Sequence, residues 1–95
     1  MRLDRAEREA LRAALSCVDG EVYLFGSRVD DARKGGDIDL LVLSSESSFE
    51  LSRAISTRFF SHCEEKIDVV VLDPNHLKAE QTAFLRTINK IELRL

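Results

Sequence analysis

The chain has 95 residues, 44% of them apolar and 33% charged, with a formal net charge of −3. This balance is typical of a folded protein rather than a disordered one, and the length predicts a single domain over residues 1–95. The acidic balance argues against direct nucleic-acid binding and against a membrane surface, because both favour basic proteins. A small nucleotide remains compatible, since metal ions can neutralise its phosphates.

The N-terminal segment and the cysteines predict a cytoplasmic protein. The first fifteen residues, MRLDRAEREALRAAL, are charged from the second residue onward and contain no apolar signal region. No later run reaches the length of a membrane span. Cys17 and Cys63 lie far apart, outside any CxxC pattern, and are interpreted as plain thiols in a reducing compartment.

Hydrophobic periodicity predicts the first half of the chain. A helix over residues 4–16 follows from apolar residues at three- and four-residue spacings, and Asp19-Gly20 ends it. The run EVYLF predicts a strand over 21–25. A short polar helix over 28–33 is interrupted by Gly35-Gly36. The helix's apolar face comprises Leu3, Ala6, Ala10, Leu11, Ala14, Leu15 and Val18.

The second half repeats the alternation of strand and helix. Strands are predicted over 37–43 and 66–72, and both are so continuously apolar that cover on both faces is expected. Helices are predicted over 49–60, with Leu51, Ile55, Phe59 and Phe60 on its apolar side, and over 76–88. The tail 90–95 fits a short edge strand or a helical extension equally well. The fold class is therefore α+β: a small mixed sheet with helices packed on it.

Three aspartates carry the chemical signal. Asp37 and Asp39 stand two residues apart on a predicted strand, so their carboxylates project from one face. Asp68 opens the next Val-rich strand and joins them if the two strands are neighbours. Clustered carboxylates bind hard divalent cations such as Mg²⁺, and one or two such ions can serve phosphoryl transfer. Asp68 could instead pair with Lys66 or Arg58 at the surface.

A second motif, Gly26-Ser27-Arg28, follows the first strand. Glycine allows close approach of the backbone to a ligand, and Ser27 would open a short helix whose free N–H groups favour an anion. Arg28 and Lys34 could add positive charge against a triphosphate, although either could also be a solvated surface charge.

Taken together, LFGSR…GGDIDLLV resembles the signature of the polymerase-β-like nucleotidyltransferases in its minimal form. Gly26-Ser27 is followed by nine residues before Asp37-Ile38-Asp39, the short edge of the family's spacing. The resemblance covers roughly residues 20–72 and implies a polymerase-β palm-like fold. It also implies that Asp37, Asp39 and Asp68 bind Mg²⁺ or Mn²⁺ and act in catalysis, and that Gly26, Ser27 and Arg28 bind ATP or another NTP.

The resemblance further implies a partner. The smallest family members pair with HEPN-type helical proteins in toxin–antitoxin modules, and the nucleotidyltransferase is the antitoxin that can transfer AMP to its partner. The alternatives are an inactive antitoxin that neutralises its partner by binding alone, and a metal-binding regulatory domain. A homodimer or a hetero-complex is expected in any of these cases, because so small a domain leaves apolar surface to cover.

Overall fold

The computed structural model describes residues 1–33 and 35–95, so Lys34 and its predicted phosphate contact lie outside the described residues. Helices α1, α2 and α3 span Arg5–Leu15, Ser48–Phe60 and Ala79–Thr87. Strands β1, β2, β3 and β4 span Glu21–Phe25, Ile38–Leu43, Ile67–Leu72 and Lys90–Glu92. A single turn of 3₁₀ helix, Gly26–Val29, follows β1 directly.

The four strands form one mixed sheet in the order β3-β2-β1-β4. β1 pairs antiparallel with β2 and with β4, whereas β2 and β3 are parallel and are joined through α2. Parallel neighbours need such a crossover, which a helix supplies. This confirms the predicted fold class. The tail, left open between two interpretations, contributes β4 as an edge strand.

The sheet has two different faces. Ile38, Leu40 and Val42 point towards α1 and α2 and are fully buried in the main core. The opposite face carries Asp39 and Asp68 at one end. Beyond the acids this face is apolar too, because Leu41 is fully buried and Phe84 of α3 packs edge-to-face on Phe25 with ring centroids 5.5 Å apart. We refer to the uncovered part of this second face, around the acids, as the open face.

Three local predictions need correction. The short helix predicted over 28–33 instead begins at Gly26 and ends at Val29, where Asp30 takes an extended backbone. Phe60, assigned to the apolar side of α2, is 50% exposed because Ile55 and Phe59 already fill the contact with the core. The last helix begins at residue 79 rather than 76. Before it, Asp73 accepts hydrogen bonds from the Asn75 backbone N–H and pairs with His76, which forms a separate turn.

Helix α1 begins with a reciprocal cap and carries a buried acid. Asp4 accepts from the Glu7 N–H at 2.7 Å, and the Glu7 carboxylate accepts from the Asp4 N–H at 2.9 Å. The same carboxylate receives two hydrogen bonds from Arg28, at 2.9 and 2.8 Å, and both side chains are almost completely buried. The pair therefore ties α1 to the chain that follows β1.

No helix in the described part of the chain is both long enough and apolar enough to span a membrane.

Substitution of Glu7 tests the buried pair. Glu7→Gln keeps the shape of the side chain but leaves the Arg28 charge buried without its counter-ion, so we expect a loss of about 3 kcal/mol in the free energy of unfolding. Glu9→Gln is the matched control, because Glu9 meets Arg5 at the exposed surface of the same helix. That pair should contribute about 0.5 kcal/mol or less. Urea denaturation measures both, and equal losses for the two variants would contradict the assigned role.

Candidate active site

The candidate site lies at one end of the strands, where β1 ends and β2 and β3 begin. Antiparallel pairing sets Phe25, the last residue of β1, opposite Asp39. Parallel pairing sets Asp39 beside Asp68. Register partners on adjacent strands project from the same face, about 5 Å apart at the backbone. The register therefore brings Asp39, Asp68 and the Gly26–Val29 turn together, as the sequence predicted for these two acids.

Asp37 stands one residue ahead of β2. The Ile38 N–H donates to the Lys66 carbonyl at 3.0 Å, so the pairing with the β3 segment already begins at this point. Asp37 and Asp68 are exposed, whereas Asp39 is half-buried. Asp39 is thus the inner acid of the group, with one acid preceding it along the chain and another beside it on the next strand.

The pKa of Asp39 reflects its burial and the nearby carboxylates. Partial burial raises the pKa of its carboxyl above the ordinary value, and the negative charges of Asp68 and Asp37 raise the pKa further. Burial raises the pKa because it removes water that would stabilise the ionised carboxylate. The two neighbours act because ionisation of Asp39 places a third negative charge close to theirs. Without a bound cation, ionisation of Asp39 therefore costs more than ionisation of an ordinary aspartate.

The donor set fits a hard divalent cation. Among the described residues, none of the three carboxylates accepts a hydrogen bond or pairs with a basic side chain. Mg²⁺ and Mn²⁺ bind carboxylate oxygens, and a bound cation would relieve the repulsion between these unpaired acids. Within the same part of the chain, no three acidic, histidine or cysteine side chains are already gathered at metal-binding distance. Binding would thus require rotation of the two exposed acids.

Gly26 is required by its contact with Asp39. A Cβ at position 26 would overlap the Oδ2 oxygen of Asp39 and lie 3.3 Å from its Cγ. The backbone of Gly26 also has a φ of +75°, which side chains with a Cβ rarely adopt. The chain therefore approaches the inner acid as closely as a backbone can, and any ligand of Asp39 lies against the Gly26–Ser27 backbone.

Ser27 is held by its backbone, and its hydroxyl remains unengaged. The Ser27 carbonyl accepts from Arg2 Nη2 at 2.8 Å and from the Asp30 N–H at 3.1 Å. The hydroxyl makes no hydrogen bond to the described residues and faces Gly36, where a Cβ would overlap it. A serine hydroxyl can donate to a phosphate oxygen. The structure thus presents an unengaged donor beside the acids.

Arg28 does not have the role that the sequence suggested. It is buried, and its guanidinium donates to both carboxylate oxygens of Glu7, to the Gly36 carbonyl at 2.9 Å and to the Arg2 carbonyl at 2.9 Å. The hydrogen bonds to Glu7 raise the pKa of Arg28. A side chain so engaged is a fixed structural element of the loop and is not free to contact a phosphate.

Glu7 and Arg2, the two residues that hold Arg28 and the loop after β1 in place, were not identified from the sequence. Glu7 lies four residues after Leu3 and four before Leu11, and this spacing does place it on the apolar face of α1. Arg2 donates to the carbonyls of Ser27, Asp30 and Gly35. No pattern in the sequence around Arg2 predicts these contacts, because they form only when the loop folds back over the N-terminal segment.

Substitution of Asp39 tests the raised pKa. Ionisation of this acid costs more in the folded than in the unfolded chain, so its contribution to stability is fully present below the ordinary aspartate pKa and is lost as pH rises through the higher folded value. Metal-free Asp39→Asn should therefore be more stable than the wild type at pH 7, and the difference should disappear as pH falls below the ordinary value. Thermal unfolding at several pH values in EDTA measures this.

The control for that experiment is Asp19→Asn, because Asp19 is exposed at the far end of β1. It should leave the melting temperature unchanged at every pH. Added Mg²⁺ or Mn²⁺ should stabilise the wild type but not Asp39→Asn. If Asp39→Asn is less stable than the wild type at pH 7 without metal, the assigned repulsion is wrong.

The two adjacent glycines of the loop form a second matched pair. Gly35 and Gly36 both have positive φ, at +67° and +90°, so alanine at either position incurs backbone strain of about 1 kcal/mol. Only at position 36 would the new Cβ displace the Ser27 side chain, since position 35 is open. Gly36→Ala should therefore weaken binding of Mn²⁺-ATP in equilibrium dialysis, and Gly35→Ala should leave it unchanged. Equal binding by both variants would exclude a role for the Ser27 position.

Comparison with known proteins agrees with this geometry. The chain matches the family model described as polymerase beta, nucleotidyltransferase, over residues 20–90. That range runs from the residue before β1 into the first residue of β4, and it contains the Gly-Ser turn and all three acids. No curated protein matches the chain. The strand order, the acids on the open face and the extent of the match lead to one conclusion: the chain belongs to the polymerase-beta nucleotidyltransferase family.

Proposed function

We propose that this protein transfers a nucleoside monophosphate, AMP from ATP, to a hydroxyl group of a partner protein in a Mg²⁺-dependent reaction. The observation that carries the proposal is the placement of Asp39 and Asp68 in register on adjacent strands, with Asp37 preceding them and Gly26 in contact with Asp39. Acids, an unengaged serine hydroxyl and a closely approaching backbone are the components that nucleotidyl transfer requires.

Each residue has a part in the proposed reaction. The acceptor oxygen forms a bond to the α-phosphorus, the bond from that phosphorus to the bridging oxygen breaks, and pyrophosphate leaves. Asp68, on the outer strand, takes the acceptor proton. Asp37 and Asp39 would hold Mg²⁺, which supplies charge neutralisation for the phosphates. Ser27 donates to a phosphate oxygen, and the Gly26 backbone lets the nucleotide approach Asp39.

The proposed acceptor is a HEPN-type helical partner that this protein neutralises as the antitoxin half of a pair. The family resemblance suggests the partner, and one feature of the surface supports a protein contact. Phe49 and Phe60 are 69% and 50% exposed on α2, the helix that packs on the face of the sheet opposite to that of Asp39 and Asp68. Exposed aromatic side chains are enriched where proteins bind one another.

That exposed pair also favours a second candidate function, in which the protein neutralises its partner by binding alone. A partner held on α2 would need no chemistry at the acids, and the acids are not preassembled into a three-ligand group among the described residues. The two functions predict different outcomes for the same set of variants.

The experiment is transfer of label from α-labelled ATP to the partner protein with Mg²⁺. We expect transfer by the wild type and by Asp19→Asn. A loss of roughly a hundredfold or more is expected for Asp68→Asn, because a proton acceptor contributes at least that much. Asp39→Asn should lose transfer as well, with the fold verified by circular dichroism.

Neutralisation of the partner is measured in parallel on the same proteins. If transfer is the function, Asp37→Ala combined with Asp39→Ala abolishes both label transfer and neutralisation. If binding alone is the function, that double variant still neutralises, whereas Phe49→Ser combined with Phe60→Ser does not. No label transfer by the folded wild type, with any NTP or divalent metal, would overturn the first candidate.

A further inference from the structure

One basic residue of the strands lies on the same face of the sheet as Asp39 and Asp68. The registers of the three strand pairs align Asp68, Asp39, Phe25 and Lys90 in a single row across β3, β2, β1 and β4. Side chains in such a row project from the same face. The row therefore runs from two carboxylates, over an aromatic ring, to an ammonium group. Lys90 is the only basic residue that the four strands place on this face.

The Lys90 ammonium has no acidic partner among the described residues. It lies 5.6 Å from the centre of the Tyr23 ring, a cation–π contact, and the side chain is exposed. The other cations near the loop differ in this respect, because Arg28 is bound to Glu7 and Arg2 is bound to three carbonyls. Lys90 is thus a positive charge that the fold positions but does not neutralise.

The distance across the sheet indicates which part of a substrate reaches it. Asp39 and Lys90 are two strands apart, or about 10 Å at the backbone. The phosphates would lie at the other limit of this span, at Asp37, Asp39 and the Gly26–Ser27 backbone. An acceptor would approach from Asp68 on the opposite side. The nucleoside is the part left to extend past the Phe25–Phe84 contact towards β4.

The chemistry of this side of the face suits a nucleoside. Phe25 lies beside Asp39 and packs edge-to-face against Phe84, and Tyr23 lies two residues further from the acids on β1, on the same face. Aromatic rings of this kind bind bases by stacking. An ammonium group has three donors and no acceptor, so it meets the acceptor atoms of a base or ribose. We infer that Lys90, together with Phe25 and Tyr23, binds the nucleoside half of the NTP. The inference rests on the proposed function, since it places the substrate of that same site.

The test compares two probes that share a triphosphate: Mn²⁺-ATP and Mn²⁺-tripolyphosphate. We expect Lys90→Gln to weaken binding of ATP by roughly tenfold or more, because a charge-assisted hydrogen bond is lost. It should leave tripolyphosphate binding unchanged, since that probe has no nucleoside. Lys90→Arg should restore most of the ATP affinity, because the charge and the donors return. Calorimetry or equilibrium dialysis gives all four values.

The matched control is Lys78→Gln, which removes the same charge from an exposed lysine at the start of α3. It should bind both probes as the wild type does. Equal ATP binding by Lys90→Gln and the wild type would overturn the inference while leaving the proposed function intact. Equal weakening of both probes would also overturn it, because Lys90 would then act on the phosphates. If the wild type binds neither probe, the proposed function fails and the inference fails with it.

Discussion

The buried pair of Glu7 and Arg28 is the interaction on which the site depends. Arg28 belongs to the turn that follows β1, and its guanidinium reaches α1, the N-terminal segment and the Gly36 carbonyl at once. Burial of two charges is costly, and it is tolerated here because each oxygen of the acid and most donors of the base are satisfied. The pair fixes both ends of the loop between β1 and β2, so Gly26-Ser27 and Asp37 keep their relative positions.

A second constraint is the register of the parallel strands. A shift of one residue between β2 and β3 would move Asp68 to the face that α1 and α2 cover, where Ile67 now lies. The apolar face therefore sets the register, and the register in turn sets the acids side by side. Stability and site geometry are determined by the same pairing: the register that buries the apolar face also places two carboxylates that repel each other side by side.

The sequence predicts most of the fold because its signals are local. The strands EVYLF and KIDVVVL and the amphipathic pattern of α1 are visible in short windows, and Asp37-Ile38-Asp39 follows from alternation alone. The side-by-side position of Asp39 and Asp68 needed one assumption, that the two strands are neighbours. What could not be predicted depends on distant contacts. The sequence suggested a phosphate contact or a solvated charge for Arg28. Its burial against Glu7 could not be predicted, because that contact joins residues 21 positions apart. The position of Lys90 beside Phe25 could not be predicted, because it depends on the tail forming an edge strand with a defined register.

The contact between Gly26 and Asp39 restricts how this sequence can change over time. A side chain at position 26 must overcome both a left-handed backbone and the carboxylate that occupies its space. Replacement of Asp39 by a smaller residue removes the second obstacle and leaves the first. The order of accessible substitutions is therefore fixed: position 39 can change while position 26 stays glycine, whereas the reverse order passes through a chain with a steric overlap. A descendant that had lost the acid at position 39 would therefore still be expected to carry glycine at position 26.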